Sequence, residues 1–372
     1  MKHRSIMFGL TALLMLSMLL GACAPAPTQP PAATQPPAAT QPPAATQPPA
    51  ATEPAATQPP AGGPMTFVLV PKNLGNPYFD NANKGAQEAA KELGVTVLYQ
   101  GPATADTTQQ IQLINSLIAQ KVSGMAISAD DSDALVPTGK DAMAAGIPVI
   151  SLDSAIGKDG RVLHINQAVT QDIGAVEIKM ALDLTGPEGG KIAILSATST
   201  APNQNAWIEV MKAELKKPEY SKLELVDVVY GDDDDTKSYN EALGLFTKYP
   251  DLKVIIAPTT VGIAASGRAV TDKNLIGKVF VTGLGLPSQM REYVKNGASP
   301  EFALWNPIDL GYLATYTLNA LATKQITGKA GDKFTAGRLG EYTVTDDPDL
   351  GLNILLGPPF IFKADNIDNF TF

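Results

Sequence analysis

Cysteine is almost missing: Cys23 is the only one in 372 residues, so the chain can form no internal disulfide. Histidine is nearly as scarce. Past residue 22 only His164 remains; it sits in an alternating strand pattern with no G-x-S-x-G elbow, so it reads as structural and argues against triad or acid/base chemistry. No pair of carboxylates suggests a glycosidase, and nothing calls for a metal or cofactor. The acidic run Asp232 to Asp235 lacks the central glycine and spacing of an EF-hand loop and reads as a solvated loop before a helix from Lys237. Basic residues are outnumbered. The net charge is −9, or −11 (26 basic against 37 acidic) without the first 22 residues, which disfavours nucleic acid and anionic membrane surfaces. Long apolar runs are absent beyond residue 20, so any membrane attachment must come from elsewhere than a spanning helix.

What is there begins with Lys2, His3 and Arg4 ahead of an apolar run over 6–20, too short and too early for a span and typical of a signal peptide. It ends in Leu20-Gly21-Ala22-Cys23, which resembles the lipobox of bacterial lipoproteins and implies a signal peptide over 1–22 and a lipid on Cys23. Residues 23–64 then repeat Thr-Gln-Pro-Pro-Ala-Ala with almost no charge and no large apolar side chain. Such a segment cannot form a core and reads as a tether. In polyproline II geometry it reaches about 130 Å.

The remaining 308 or so residues leave room for two lobes of ordinary domain size. Strand and helix signals alternate, which argues for parallel sheets. Strands are expected at 67–70, 95–99, 124–128, 148–152 and 162–165, with helices from 77, over 106–120 and over 132–145; a crossover follows near Asn166 and Gln167. The grammar then repeats, with strands at 191–195, 223–229, 254–257 and 279–282. A return strand at 302–305 precedes a helix over 307–322 that is placed back on the first lobe. The expected fold is therefore α/β, two doubly wound parallel-sheet lobes joined by a multi-strand hinge. The first lobe is expected over 65–166 plus 306–335, the second over 167–305 plus 336–372. Such a pair can close on a ligand.

The stretch from Leu69 to Gly94 anchors the functional reading. Asn76 is a good N-cap, Pro77 suits the first helical position and Gly94 closes the helix. The loop Lys-Asn-Leu-Gly-Asn-Pro-Tyr-Phe is thus held beyond the carboxyl end of a strand, where open α/β sheets bind ligands. Loop and helix together resemble the start of the sugar-binding periplasmic binding proteins of ABC importers, with the type I fold. The likeness extends over about 65–372 through VISLDS, ILSATSTAPNQNAWIEVMK, YGDDDDTKSYNEA, KVIIAPTTVGI, VTGLGLPSQM and FALWNPIDLGY, and is nearest to the rhamnose-binding and autoinducer-2-binding branch. It implies that Lys72, Asn76, Tyr78, Phe79 and Asp153 in the first lobe, Asn203, Gln204, Pro258 and Thr260 in the second, and Trp305 with Asn306 near the hinge contact the ligand. The autoinducer-binding pattern has Asp at the place of Asn203 and Ala at that of Thr260; both departures resemble the rhamnose-binding relatives.

These residue types suit a sugar. Asp153 can accept from two hydroxyls, Asn203, Gln204 and Asn306 both donate and accept, and Lys72 only donates. Tyr78, Phe79 and Trp305 offer apolar faces, against which a 6-deoxy sugar also places its methyl group. Asn76 also serves as a cap, and Asn306 or Asp309 could equally serve the helix start after Trp305. The expectation is a lipid-anchored extracytoplasmic protein, monomeric and not an enzyme. It binds L-rhamnose or a related monosaccharide and delivers it to an ABC permease; the alternative is autoinducer-2 uptake or signalling. A transcription regulator of the same two-lobed fold is set aside, since a signal peptide and tether stand where a helix-turn-helix would be.

Overall fold

In the computed structural model, residues 64–372 are described. The expected signal peptide, the lipidation at Cys23 and all of the tether but Pro64 lie outside the described residues. β1 (Thr66–Val70) is buried at four of its five positions, as a continuous apolar run covered on both faces requires. β2 (Thr96–Tyr99), β3 (Gly124–Ile127), β4 (Val149–Leu152) and β5 (Leu163–Asn166) join it in parallel register. α1 (Pro77–Leu93), α2 (Thr107–Ala119) and α3 (Val136–Ala144) form the crossovers. Asn76 caps α1 by accepting from the Tyr78 backbone N–H at 3.1 Å, and Gly94 ends it in the left-handed region, φ 67°. α3 starts four residues later than expected. The Asp131 carboxylate accepts from the Asp133 and Ala134 N–H groups at 3.0 and 2.9 Å, which holds the preceding segment in a turn that competes with helix.

The second sheet repeats the pattern. After α4 (Thr170–Thr185) come β6 (Gly190–Ser196), α5 (Pro202–Glu214), β7 (Leu223–Tyr230), α6 (Asp235–Lys248), β8 (Leu252–Ala257), α7 (Thr260–Asp272), β9 (Phe280–Gly283) and α8 (Pro287–Asn296). The strands pair in the order β7-β6-β8-β9, all parallel. β10 (Glu301–Leu304) leads into α9 (Pro307–Ala322), which returns to the first lobe and packs on α1. Two glycines permit that contact. A Cβ on Gly85 would lie 1.7 Å from the Ile308 carbonyl oxygen, and one on Gly311 would lie 1.8 Å from that of Ala82.

The tail corrects one expectation. β11 (Lys333–Thr335) and β12 (Glu341–Thr343) form a hairpin, but β13 (Thr345–Asp347) and β14 (Gly351–Leu355) enter the first sheet rather than the second, in the order β13-β14-β5-β4-β3-β1-β2. β5 is buried at all four positions, so its outer edge needs a partner, and β14 supplies it in parallel with Ile354 opposite Ile165. Only β15 (Phe360–Lys363) belongs with the second lobe, antiparallel to β10. The chain therefore passes between the lobes after β5, after β10 and after β14, and the first and third passages are tied by Leu356 N–H donating to the Asn166 carbonyl at 2.8 Å. His164 on β5 is buried against the Ser151 hydroxyl at 2.9 Å, and burial holds its pKa well below the usual imidazole value.

Candidate functional site

The loops after β1, β4, β6, β7, β8, β9 and β10 converge on one crevice between the sheets. Of the eleven residues expected there, Lys72, Asn76, Tyr78, Phe79, Asp153, Asn203, Gln204, Pro258, Thr260 and Trp305 line it. Asn306 does not. Its side chain accepts from the Ile308 N–H at 3.0 Å and donates to Asp309 at 2.9 Å, so the start of α9 takes both ends of its amide.

Asp153 stands immediately beyond β4 with φ 59°, an uncommon conformation for a residue with a side chain. Ser128 Oγ donates to its Oδ2 at 2.8 Å, Asn203 Nδ2 donates to its Oδ1 at 3.1 Å, and Lys72 Nζ lies 3.6 Å from Oδ2. Lys72 Nζ also donates to Asn203 Oδ1 at 3.2 Å. Lys72 and Asp153 from one lobe and Asn203 from the other thus meet as a charged knot. Gln204, one residue on in α5, accepts on Oε1 from Ser196 Oγ and from the Ala197 N–H, both at 2.7 Å. A backbone N–H can only donate, so this fixes the amide with its NH₂ free for the crevice.

Aromatic rings line the crevice beside these polar groups. Trp305 Nε1 donates to the Tyr78 hydroxyl at 2.8 Å, and the two rings meet edge to face at 6.3 Å, as Tyr78 and Phe79 do at 5.1 Å. Burial, then the Asp153 charge, holds the Tyr78 pKa well above the usual phenol value. Leu284 and Leu304, each almost fully buried, add an apolar corner.

Trp207 and Asp233 also line the crevice, and sequence reasoning missed both. Trp207 packs on Trp305 with ring centres 6.0 Å apart; four residues on from Asn203, it shares that residue's helix face, and this spacing was the available signal. Asp233 corrects the reading of its run as a solvated loop. Asp232 and Asp233 are both left-handed, φ 55° and 51°, which turns Asp233 inward to accept from Thr259 Oγ1 at 2.5 Å, while Asp234 caps α6 through the Lys237 N–H. Burial raises the Asp233 pKa against the pull of Lys72 and the Thr259 hydroxyl. The arrangement offers carboxylates, amides and one ammonium together with aromatic planes. A compact polyhydroxylated molecule fits that chemistry.

Comparison with known proteins follows the same lines. A family model described as a periplasmic binding protein domain matches residues 67–326. The chain is similar to an ABC transporter solute binding protein from Clostridium phytofermentas solved with bound L-rhamnose, at 41% identity and a TM-score of 0.80, covering 83% of this chain and 98% of that one. It is similar also to LsrB from Clostridium saccharobutylicum in complex with AI-2, at 26% identity and a TM-score of 0.78 over 83% of this chain and 100% of that one. The D-allose-binding periplasmic protein of Escherichia coli K12 is 28% identical over 253 residues, 66% of this chain and 80% of its own length.

Proposed function

This chain belongs to the periplasmic binding protein family, and from that premise we propose that it captures one 6-deoxyhexose, L-rhamnose or a close relative, and delivers it to a sugar ABC importer's permease. As a solute-binding protein of that kind it performs no chemistry. The observation that carries the ligand class is the 41% identity to the L-rhamnose-bound protein, joined to a cleft whose polar knot faces aromatic rings and the Leu284–Leu304 corner. The hydroxyls engage Lys72, Asp153 and Asp233 with the amides of Asn203 and Gln204, and the methyl group takes the leucine corner. Both lobes then hold one ligand, which stabilises the closed form that a permease recognises.

Autoinducer-2 is the second reading, supported by the likeness to LsrB. Asn203 and Thr260 weigh against it, because the amide and the extra hydroxyl change the donors offered. Titration calorimetry of the protein, stripped of carried-over ligand, against L-rhamnose, L-fucose, ribose and autoinducer-2 decides. Binding of L-rhamnose is expected; binding of autoinducer-2 alone overturns the hexose reading. The protein is extracytoplasmic, as its family implies, and the lipid on Cys23 holds it to a membrane. Cys23→Ala should release it to the soluble fraction of cells, and retention in the membrane fraction refutes the anchor.

A further inference from the structure

Beside the cleft lies a larger hollow that a single captured hexose leaves unused. It contains about 600 Å³ of empty space against about 340 Å³ for the cleft, and Asp153, Asn203 and Trp207 line both. Its walls come from the loop after β4, from the first hinge passage at Asn166 and Gln167, and from the tail at Asp349 and Leu350. Exposed Lys158 and Asp349 form a rim, so the hollow opens toward solvent.

The lining has the chemistry of a hydroxylated ring's site. Gln167 lines the hollow and is 2% exposed, and its Oε1 is buried with no hydrogen bond donated to it; a buried acceptor without a donor is costly, which favours a turn of this side chain toward a hydroxyl bound in the hollow. Trp207 supplies the aromatic body between the two chambers. Arg161 places its guanidinium against the backbone carbonyls of Ile156, Leu350 and Leu352, which holds the tail in place as a fixed wall. At the junction Asn203 Nδ2 donates to Asp153 Oδ1 at 3.1 Å; hydroxyls that engage these two groups part them and join the chambers.

We propose that the hollow is a second subsite, which takes the ring attached to the captured sugar through its glycosidic bond. The protein then binds a rhamnosyl disaccharide with its non-reducing ring in the cleft and its second ring against Trp207 and Gln167. This rests on the hexose reading of the cleft. Calorimetry with L-rhamnose, methyl α-L-rhamnopyranoside and rutinose, which carries rhamnose on O6 of glucose, tests it. Rutinose should bind at least tenfold more tightly than the methyl glycoside. Ala206→Trp fills the hollow from a position outside the cleft; it should leave L-rhamnose affinity within twofold and abolish the gain for rutinose, and Gln167→Ala should remove most of that gain. Equal or weaker binding of rutinose in the native protein overturns the subsite while leaving the hexose reading standing, and a gain that survives both substitutions does the same. Binding of none of the three overturns the hexose reading and the subsite with it.

Discussion

Asp153→Ala separates a ligand-binding carboxylate from a structural one. Asp153 lies 3.6 Å from Lys72, with both side chains almost fully buried, and two neutral donors reach its oxygens from Ser128 and Asn203. If it accepts from two sugar hydroxyls, the loss is two hydrogen bonds to a charged group, each worth about 1.5–3 kcal/mol. The dissociation constant should then rise roughly 10²- to 10⁴-fold. Removing one member of a buried ion pair costs about 3–5 kcal/mol when the other stays buried. If the lobes part in the absence of ligand, Lys72 returns to water and that cost falls on closure rather than on folding. Calorimetry should therefore show the affinity loss while heat denaturation without ligand shifts little. Native affinity in the variant refutes the role of Asp153 in the site; an unfolding midpoint that collapses together with binding shows the carboxylate to be a structural brace.

Gly85→Ala or Gly311→Ala drives a methyl group into a backbone carbonyl of the facing helix and should cost about 1–3 kcal/mol of stability or more, read by chemical denaturation; a loss of less than about 0.5 kcal/mol, on the order of a surface change, refutes the close packing of α1 on α9. Glu177 is buried with both oxygens unpartnered, and burial raises its pKa well above the usual carboxyl value; Asp130, likewise unpartnered, is pushed up to about 8 by burial. A carboxyl with a raised folded pKa costs nothing below its unfolded pKa and destabilises progressively as pH rises toward its folded one, by about 1.4 kcal/mol per unit. Glu177→Gln and Asp130→Asn should therefore raise the unfolding midpoint more at pH 8 than at pH 4.5, and an equal change at both values refutes the assignment. Trp207 and Trp305 are the only tryptophans and both line the cleft, so ligand should change the intrinsic fluorescence, with part of the change lost in Trp207→Phe; a flat titration with a sugar that binds by calorimetry removes both rings from its surroundings.

What the sequence made legible was whatever local chemistry decides. Asn76, Pro77 and Gly94 are read by the chain nearest them, and the strand-helix alternation through β9 needs only apolar runs and their spacing. The tail was not legible, because β14 is placed by the open edge of β5, nearly two hundred residues earlier in the chain, and the two lobes offered equally plausible edges. Asp233 was lost for another reason. A run of four aspartates reads as solvated loop on average, and only two consecutive left-handed residues, a conformation Asp tolerates, single out the one that turns inward. Asn306 shows the opposite failure: it matches the pattern of a ligand contact, yet helix-start chemistry claims its side chain.

The polar groups of the cleft differ in how firmly they are already held, and this predicts where binding energy resides. Gln204 is fixed within its own lobe by Ser196 and Ala197, so it presents its NH₂ at little entropic cost. Asp153 is held by Ser128 on its own side, but its second oxygen and the Lys72 ammonium reach across to Asn203. Those cross-lobe bonds are the ones a sugar must replace. A hydroxyl that displaces Asn203 from Asp153 gives up that neutral bond for its own, whereas the aromatic wall and the leucine corner gain from the area they cover. Stereochemistry is then read by the knot, where a misplaced hydroxyl leaves a buried charge unmatched, and the rings add affinity that depends little on hydroxyl order.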